Sequence, residues 1–292
     1  LRRLARAMRL EPAGHEALVE RWRAVRREVR DLHEELFYRP LLPATAHLTR
    51  EEASLAPDAA RARLAAIGYR DPAGAMRHIA ALTEGVTRRA AIQRQLLPVL
   101  LGWFAEGSDP DAGLLAFRRV SDELGTTHWY LKLLRDSGVA ANRLACVLST
   151  SRYAADALAR SPESVTWLDS DAELEPRGVE RLAAEVDALL TRASDAKAAA
   201  TLLRALRRRE LARTAVAQVL RRTTSRASQE ALTAAADVVL AGVLRIAEHE
   251  ARTGPDGALT RFAVIAMGRL GGQELGYGSD ADVLFVHDPL PD

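Results

Sequence analysis

The chain has 292 residues, 48% hydrophobic and 27% charged, with 41 basic against 39 acidic side chains and a net charge of +2. This is the composition of a soluble globular protein with room for one large or two ordinary cores. It excludes a membrane-spanning chain, because no uninterrupted apolar run is long enough, and its charge balance gives no reason to expect nucleic acid as a partner. The abundance of arginine, alanine and leucine favours helix. Cys146 is the single cysteine; it cannot close an intramolecular disulfide and suits a reducing, cytoplasmic setting. It sits in the apolar helical run Leu144–Leu148, where a buried structural thiol is favoured over a nucleophile. The N-terminus is basic but has no cleavable leader pattern and does not begin with Met, so the chain reads as an internal piece of a longer one.

In chain order, Leu1–Leu10 is a short basic amphipathic segment broken by Pro12 and Gly14. Leu18, Trp22, Val25, Val29, Leu32 and Leu36 then recur at spacings of four and three, the stripe of one long helix stopped by Arg39-Pro40 and Leu42-Pro43. His15, His33 and His47 have no second ligand at metal-site spacing. Thr45–Ala60 lacks periodicity and reads as a linker. A short helix over Asp58–Ile67 is closed by Gly68, and Asp71-Pro72 supplies the cap and first residue of the next, over Ala73–Leu82. Thr87 caps a helix through Leu101, on which Arg88, Arg89 and Arg94 form a solvated face. Pro110 opens a helix that buries Leu114, Phe117, Val120 and Leu124.

Further short helices follow over Thr127–Arg135, with Trp129 and Leu133 on one side, over Val139–Leu148, and from Ser149-Thr-Ser151 to Leu158. Ser161-Pro162 starts another. Asp169–Glu175 reads as an acidic loop. Pro176–Ala193 is helical, with Val179, Leu182, Val186 and Leu189 inward. Ser194 or Asp195 caps a long helix that carries Leu202, Leu206, Ala212 and Val216 inward. Arg204, Arg207, Arg208, Arg209 and Arg213 on that helix read as a charged outer face; an anion or partner contact is the alternative. Ser225 or Ser228 caps a last helix with the stripe Leu232, Val239, Val243 and Ile246. Thr253–Gly257 marks a boundary.

Chemistry concentrates at the end. Phe262–Met267 is a short, partly β-branched apolar run that suits a buried strand. Glycines 268, 271, 272, 276 and 278 let the backbone turn tightly and approach a ligand. Val283–Val286 is a second strand. Between them, Asp280 and Asp282 stand two apart, which on an extended strand places both carboxylates on one face, with Ala281 turned toward the core. Two convergent carboxylates beside a glycine turn can hold a hard cation such as magnesium together with substrate phosphates. Taken alone, Ser-Asp after glycines is more often a simple turn.

The ordered string Gly268-Arg-Leu-Gly-Gly-Gln-Glu-Leu-Gly-Tyr-Gly-Ser-Asp-Ala-Asp282 resembles the signature of DNA polymerase β-like nucleotidyltransferases. More narrowly, it resembles the bifunctional glutamine synthetase adenylyltransferase/adenylyl-removing family. That resemblance implies a mainly α architecture, a multi-helix region followed by the first strands of an α+β nucleotidyltransferase domain. Residues 1–43 would be the helical tail of a first catalytic half, because Leu32–Pro40 resembles its end. Residues 44–257 would be a linker and central regulatory region, and 258–292 the start of the second catalytic domain. In such a family one half transfers AMP from ATP to a tyrosine of glutamine synthetase and the other removes it by phosphorolysis, under the PII signal protein and glutamine.

By the same resemblance, Asp280 and Asp282 are catalytic metal ligands for Mg2+, Gly271, Gly272 and Ser279 line the nucleotide, and Arg269 is the basic residue after the first glycine. Attack by the tyrosine oxygen on the α-phosphorus would expel pyrophosphate between two magnesium ions about 3.5–4 Å apart. A third carboxylate is expected on a later strand; Asp288 is expected to lie past the second strand and not to serve. The competing readings are a regulatory helical scaffold that binds PII or glutamine, and the adenylyl-removing half.

Overall fold

The computed structural model describes residues 18–22, 24–25, 52–125, 127–253 and 260–289. The chain forms two compact units, Leu1–Gly102 and Trp103–Asp292. Residues 18–22 and 24–25 are helical, and Leu18 is buried while Trp22 is exposed. Val29, Leu32 and Leu36 of the expected stripe, and all three N-terminal histidines, lie outside the described residues.

In the first unit, α1 (Glu52–Ala66) starts earlier than Asp58, inside the stretch read as linker. Its end is set by local chemistry. Gly68 takes φ +108, and the Gly68 and Tyr69 amides donate to the Ala65 and Leu64 carbonyls, which satisfies two orphan acceptors of the last turn. The Asp71 carboxylate accepts from the Gly74 amide at 2.8 Å and caps α2 (Pro72–Thr83). Thr87 caps α3 (Arg88–Ala105) through the Ala90 amide at 3.1 Å. The helix continues past Leu101, with Pro98 inside it. Arg94 is not an idle surface cation: its guanidinium donates to the carbonyls of Thr83 and Gly85 and closes the α2–α3 joint. Leu64, Tyr69, Leu82, Leu96, Leu97 and Leu100 form the buried interior. Gln93 is fully buried, and neither polar atom of its amide has a hydrogen-bond partner among the described residues.

The second unit opens with α4 (Pro110–Leu124), capped by Asp109, which accepts from Ala112 N at 3.0 Å. Leu114, Phe117, Val120 and Leu124 are all buried, as their spacing requires. Next come α5 (His128–Asp136), α6 (Gly138–Thr150), α7 (Arg152–Arg160), a 3-10 segment (Pro162–Asp169), and the single turn α8 (Asp171–Leu174) where an acidic loop was expected. On α5 the buried side chains are Tyr130, Leu131 and Leu134; Trp129 and Leu133 sit on the flank, one position out of phase. Tyr130 faces inward because Ser121 on α4 hydrogen-bonds its hydroxyl at 2.9 Å. Cys146 is only half-buried.

Three longer helices carry the rest: α9 (Val179–Arg192), α10 (Ala196–Val219) and α11 (Ser225–Thr253). Leu182, Val186, Leu203, Leu206, Ala235, Val238 and Val239 form their shared core. Full burial of each larger aliphatic side chain there stabilises by about 1.5–3 kcal/mol. Gly242 lets α11 approach: a Cβ there would lie 2.9 Å from Leu203 and 3.0 Å from Val186. Val179, Leu202 and Val243, expected inward, are exposed, because each lies on the flank of its stripe. Asp195 caps α10 through Ala198 N at 2.7 Å. Thr224, rather than either serine, caps α11 through Ala227 N at 3.1 Å.

The arginine run of α10 divides. Arg204 and Arg208 are exposed, whereas Arg213 is only 1% exposed and stacks over the Trp167 ring at 4.1 Å. Arg213 binds the Glu210 carboxylate at 3.2 Å and the Glu173 carbonyl. Arg209 forks onto Glu185 of α9 at 2.7 and 2.8 Å, and Arg177 adds a bond to Glu185 at 3.0 Å. The hydrogen bond from Arg209 holds the Glu185 carboxyl below its usual range, against the upward push of burial. These arginines act as internal ties because each reaches a carboxylate or carbonyl on a neighbouring element.

The chain ends in an antiparallel hairpin of β1 (Thr260–Ala266) and β2 (Val283–Pro289), in register from Thr260↔Pro289 to Ala266↔Val283. The helical majority and the small terminal strand pair agree with the expected fold class. Among the described residues no helix is long and apolar enough to cross a membrane.

Candidate functional site

The site is the loop that joins the two strands. β1 runs into Gly268, whose φ of +51 suits glycine, and a Cβ there would fall 2.9 Å from Asp282 Oδ2. The backbone then makes one helical turn, α12 (Gly268–Gly271). Gly271 packs against β1 so closely that a Cβ would lie 2.6 Å from the Ala266 carbonyl oxygen. Gln273, at φ 59, ends the turn, with the Gln273 and Glu274 amides donating to Leu270 O at 3.1 Å and Arg269 O at 2.8 Å. This is the helix-closing pattern seen at Gly68, here with a glutamine in the left-handed position.

A second turn follows. Ser279 N donates to Gly276 O at 3.1 Å, and Gly276 N donates back to Ser279 Oγ at 2.9 Å. Tyr277 and Gly278 form its tip. Asp280, Ala281 and Asp282 come next, and Met267 N donates to Asp282 O at 2.9 Å, so the loop leaves beside its point of entry. The exposed Arg269 reaches across the loop, donating to Glu274 O at 3.0 Å, with its guanidinium 3.5 Å from where a Gly276 Cβ would stand. It therefore braces the loop.

The residues expected at a site are thus brought onto one loop. Gly271, Gly272, Asp280 and Asp282 are exposed, and Ser279 is half-buried. Three details differ from expectation. Asp280 to Asp282 precede β2 rather than lying in it, and Ala281 is exposed, because no element among the described residues covers that side of the hairpin. Asp288 lies inside β2, not past it, and pairs with Arg261 at 2.6 Å. Six residues along a strand separate it from Asp282, about 20 Å. It cannot join the Asp280–Asp282 pair, and among the described residues no three His, Cys, Asp or Glu side chains come together as a metal cluster.

The donor set nonetheless fits a hard divalent cation with a phosphate ligand. It offers carboxylate oxygens open to solvent, beside exposed glycines at 271, 272 and 278.

Sequence reasoning missed the anchors. Leu270 and Leu275 are buried in a cluster with Leu232 and Ala236 of α11, and Leu211, Tyr277 and Val283 pack against it. The Tyr277 hydroxyl donates to Gln218 Oε1 on α10 at 2.7 Å, and its ring lies 5.1 Å from that of Tyr153. Burial, then the neighbouring Tyr153, pushes the Tyr277 phenol up to about 12, so it stays a donor at neutral pH. The available signal was two leucines and a tyrosine in a loop otherwise made of glycine, polar residues and Ala281.

The family described as glutamate-ammonia ligase adenylyltransferase matches residues 141–291, a little over half of the chain. Proteins named bifunctional glutamine synthetase adenylyltransferase/adenylyl-removing enzyme are similar throughout. The one from Leifsonia xyli subsp. xyli is 53% identical over 99% of this chain, and the one from Streptomyces avermitilis is likewise 53% identical over 99%. That from Cutibacterium acnes is 44% identical over 98%. The chain spans 29%, 30% and 28% of the length of these three relatives. With the terminal loop inside the matched region, the chain belongs to the glutamate-ammonia ligase adenylyltransferase family.

Proposed function

We propose that the chain is the central helical region and the opening of a nucleotidyltransferase domain in a cytoplasmic enzyme that transfers AMP from ATP to a tyrosine of glutamine synthetase. The relatives' names support adenylyl transfer to glutamine synthetase, and for the whole enzyme they support adenylyl removal as well. The observation that carries the reading for these residues is the exposed Asp280 and Asp282 on a glycine-rich loop. In this reading the two carboxylates hold Mg2+, which when bound neutralises phosphate charge. Gly271 and Gly272 let the triphosphate approach the backbone, and Ser279 holds the turn that presents Asp280. The chain contributes mainly positioning, the larger part of phosphoryl and nucleotidyl transfer catalysis.

Residues 1–43 are assigned to the end of a preceding catalytic half, 44–257 to a linker and regulatory region, and 258–292 to the start of the transferring domain. PII and glutamine are the regulators this assignment implies.

The test is made in the full-length protein. Asp280→Ala and Asp282→Ala should each lower AMP incorporation into glutamine synthetase at least a hundred-fold, about 2.7 kcal/mol of transition-state stabilisation. Phosphorolytic removal should be largely retained. Loss of removal with transfer intact would assign this loop to the other half.

A further inference from the structure

The loop meets the helices at three side chains. Leu270 and Leu275 are nonpolar plugs in the α11 surface. Tyr277 is different: it is the polar contact that reaches across to α10, and it sits at the tip of the turn whose closing residue, Ser279, directly precedes Asp280. Gln218 lies in the last turn of α10, just before that helix closes with Arg221 in a left-handed conformation at φ 55. A hydrogen bond at this place converts the position of the α10 terminus into the orientation of the turn. Asp280 itself is exposed.

We infer that Tyr277 is a positioning residue: its bond to Gln218 and its ring contact with Tyr153 hold the Gly276–Ser279 turn against α10 and α7, and so set the direction of Asp280. The role rests on the reading of Asp280 and Asp282 as metal ligands; the tether itself does not. The half-buried phenol keeps its proton at neutral pH and so stays a donor to Gln218.

Amide exchange in the full-length protein tests it with Tyr277→Phe, Gln218→Met and the double variant. Tyr277→Phe keeps the ring and removes one hydroxyl, so folding is spared. Exchange at Gly276, Ser279 and Met267 should quicken about ten-fold in each single variant while the amides of α10 and α11 keep their rates. The double variant should be no faster than either single one. The Mg2+ concentration giving half-maximal AMP transfer should rise several-fold in Tyr277→Phe with thermal midpoint unchanged. Loop exchange that does not change, or effects that add in the double variant, would overturn the tether. Faster exchange with an unmoved Mg2+ requirement would overturn the positioning role. Asp280→Ala separates the two ideas: if that variant transfers AMP normally, the metal-site reading is wrong, whatever Tyr277 does to exchange.

Discussion

At the residue scale the loop's glycines differ in what they permit. Gly268 needs its left-handed backbone and the space beside Asp282, whereas Gly271 needs only the absence of a Cβ against the Ala266 carbonyl. A backbone oxygen cannot swing aside as a side chain can, so Gly271→Ala must push α12 away from β1. Overpacking of this kind costs about 1–3 kcal/mol, and amide exchange at Gly272 and Glu274 should quicken at least about ten-fold. Gln273→Gly should act in the opposite direction, because a left-handed non-glycine residue carries a penalty of about 1–2 kcal/mol; exchange at Glu274 should slow or stay level. A slower rate in Gly271→Ala would contradict the close contact. In the first unit, the buried Gln93 amide has no partner among the described residues, and an unsatisfied buried polar group costs about 1–3 kcal/mol. Gln93→Leu should raise the urea midpoint with little change in slope; a lowered midpoint would mean that the amide has a use that only glutamine meets.

At the scale of elements, the features legible in the sequence were those fixed within a few residues. Asp71 and Thr87 cap helices as read, and Asp195 does so as one of two candidates, since a short side-chain oxygen reaching an amide three residues on is local chemistry. The strand pair and the loop between them were legible because an apolar run, glycines and a second apolar run occur together. What escaped was set by neighbours far away in the chain. Leu202 and Val243 fit their stripes by spacing yet face outward, and Arg213 looked like surface but fills a slot between Trp167 and Glu210. The Glu185 fork shows how such a tie is tested. Its folded carboxyl holds a proton less tightly than an unfolded one, so the stabilisation is complete above the ordinary glutamate value of 4.5 and is lost as pH falls below it. Glu185→Gln should therefore lower the urea midpoint at pH 7 and approach the parent's midpoint near pH 3. An equal deficit at both values would show that packing, not charge, is what the variant loses.

At the scale of the whole molecule, α9, α10 and α11 share a buried core while the hairpin has none of its own. Phe262, Ile265, Leu284, Phe285 and Val286 are all exposed, and a two-stranded sheet is marginal in water without cover. The hairpin is held to the helices at its loop end, by Leu270, Leu275, Tyr277 and Val283, the first residue of β2, and the rest of its faces stay exposed. That arrangement fixes the glycine turn and leaves the strands beyond it weakly supported. The carboxylates show the same imbalance. Asp280 and Asp282 are in place, Asp288 is committed to Arg261 at the other end of the strand, and no third acidic group joins them among the described residues. Two exposed carboxylates with no enclosing wall leave a magnesium–triphosphate complex largely hydrated, and little of its binding free energy is then spent on orientation. The 292-residue chain on its own should accordingly bind Mg–ATP no more tightly than millimolar and incorporate no AMP into glutamine synthetase, while its circular dichroism stays strongly helical. Calorimetric titration of Mg–ATP, run beside an incorporation assay, decides the matter. Micromolar binding with measurable transfer would mean that these residues already complete the site, with a further ligand supplied from within the chain.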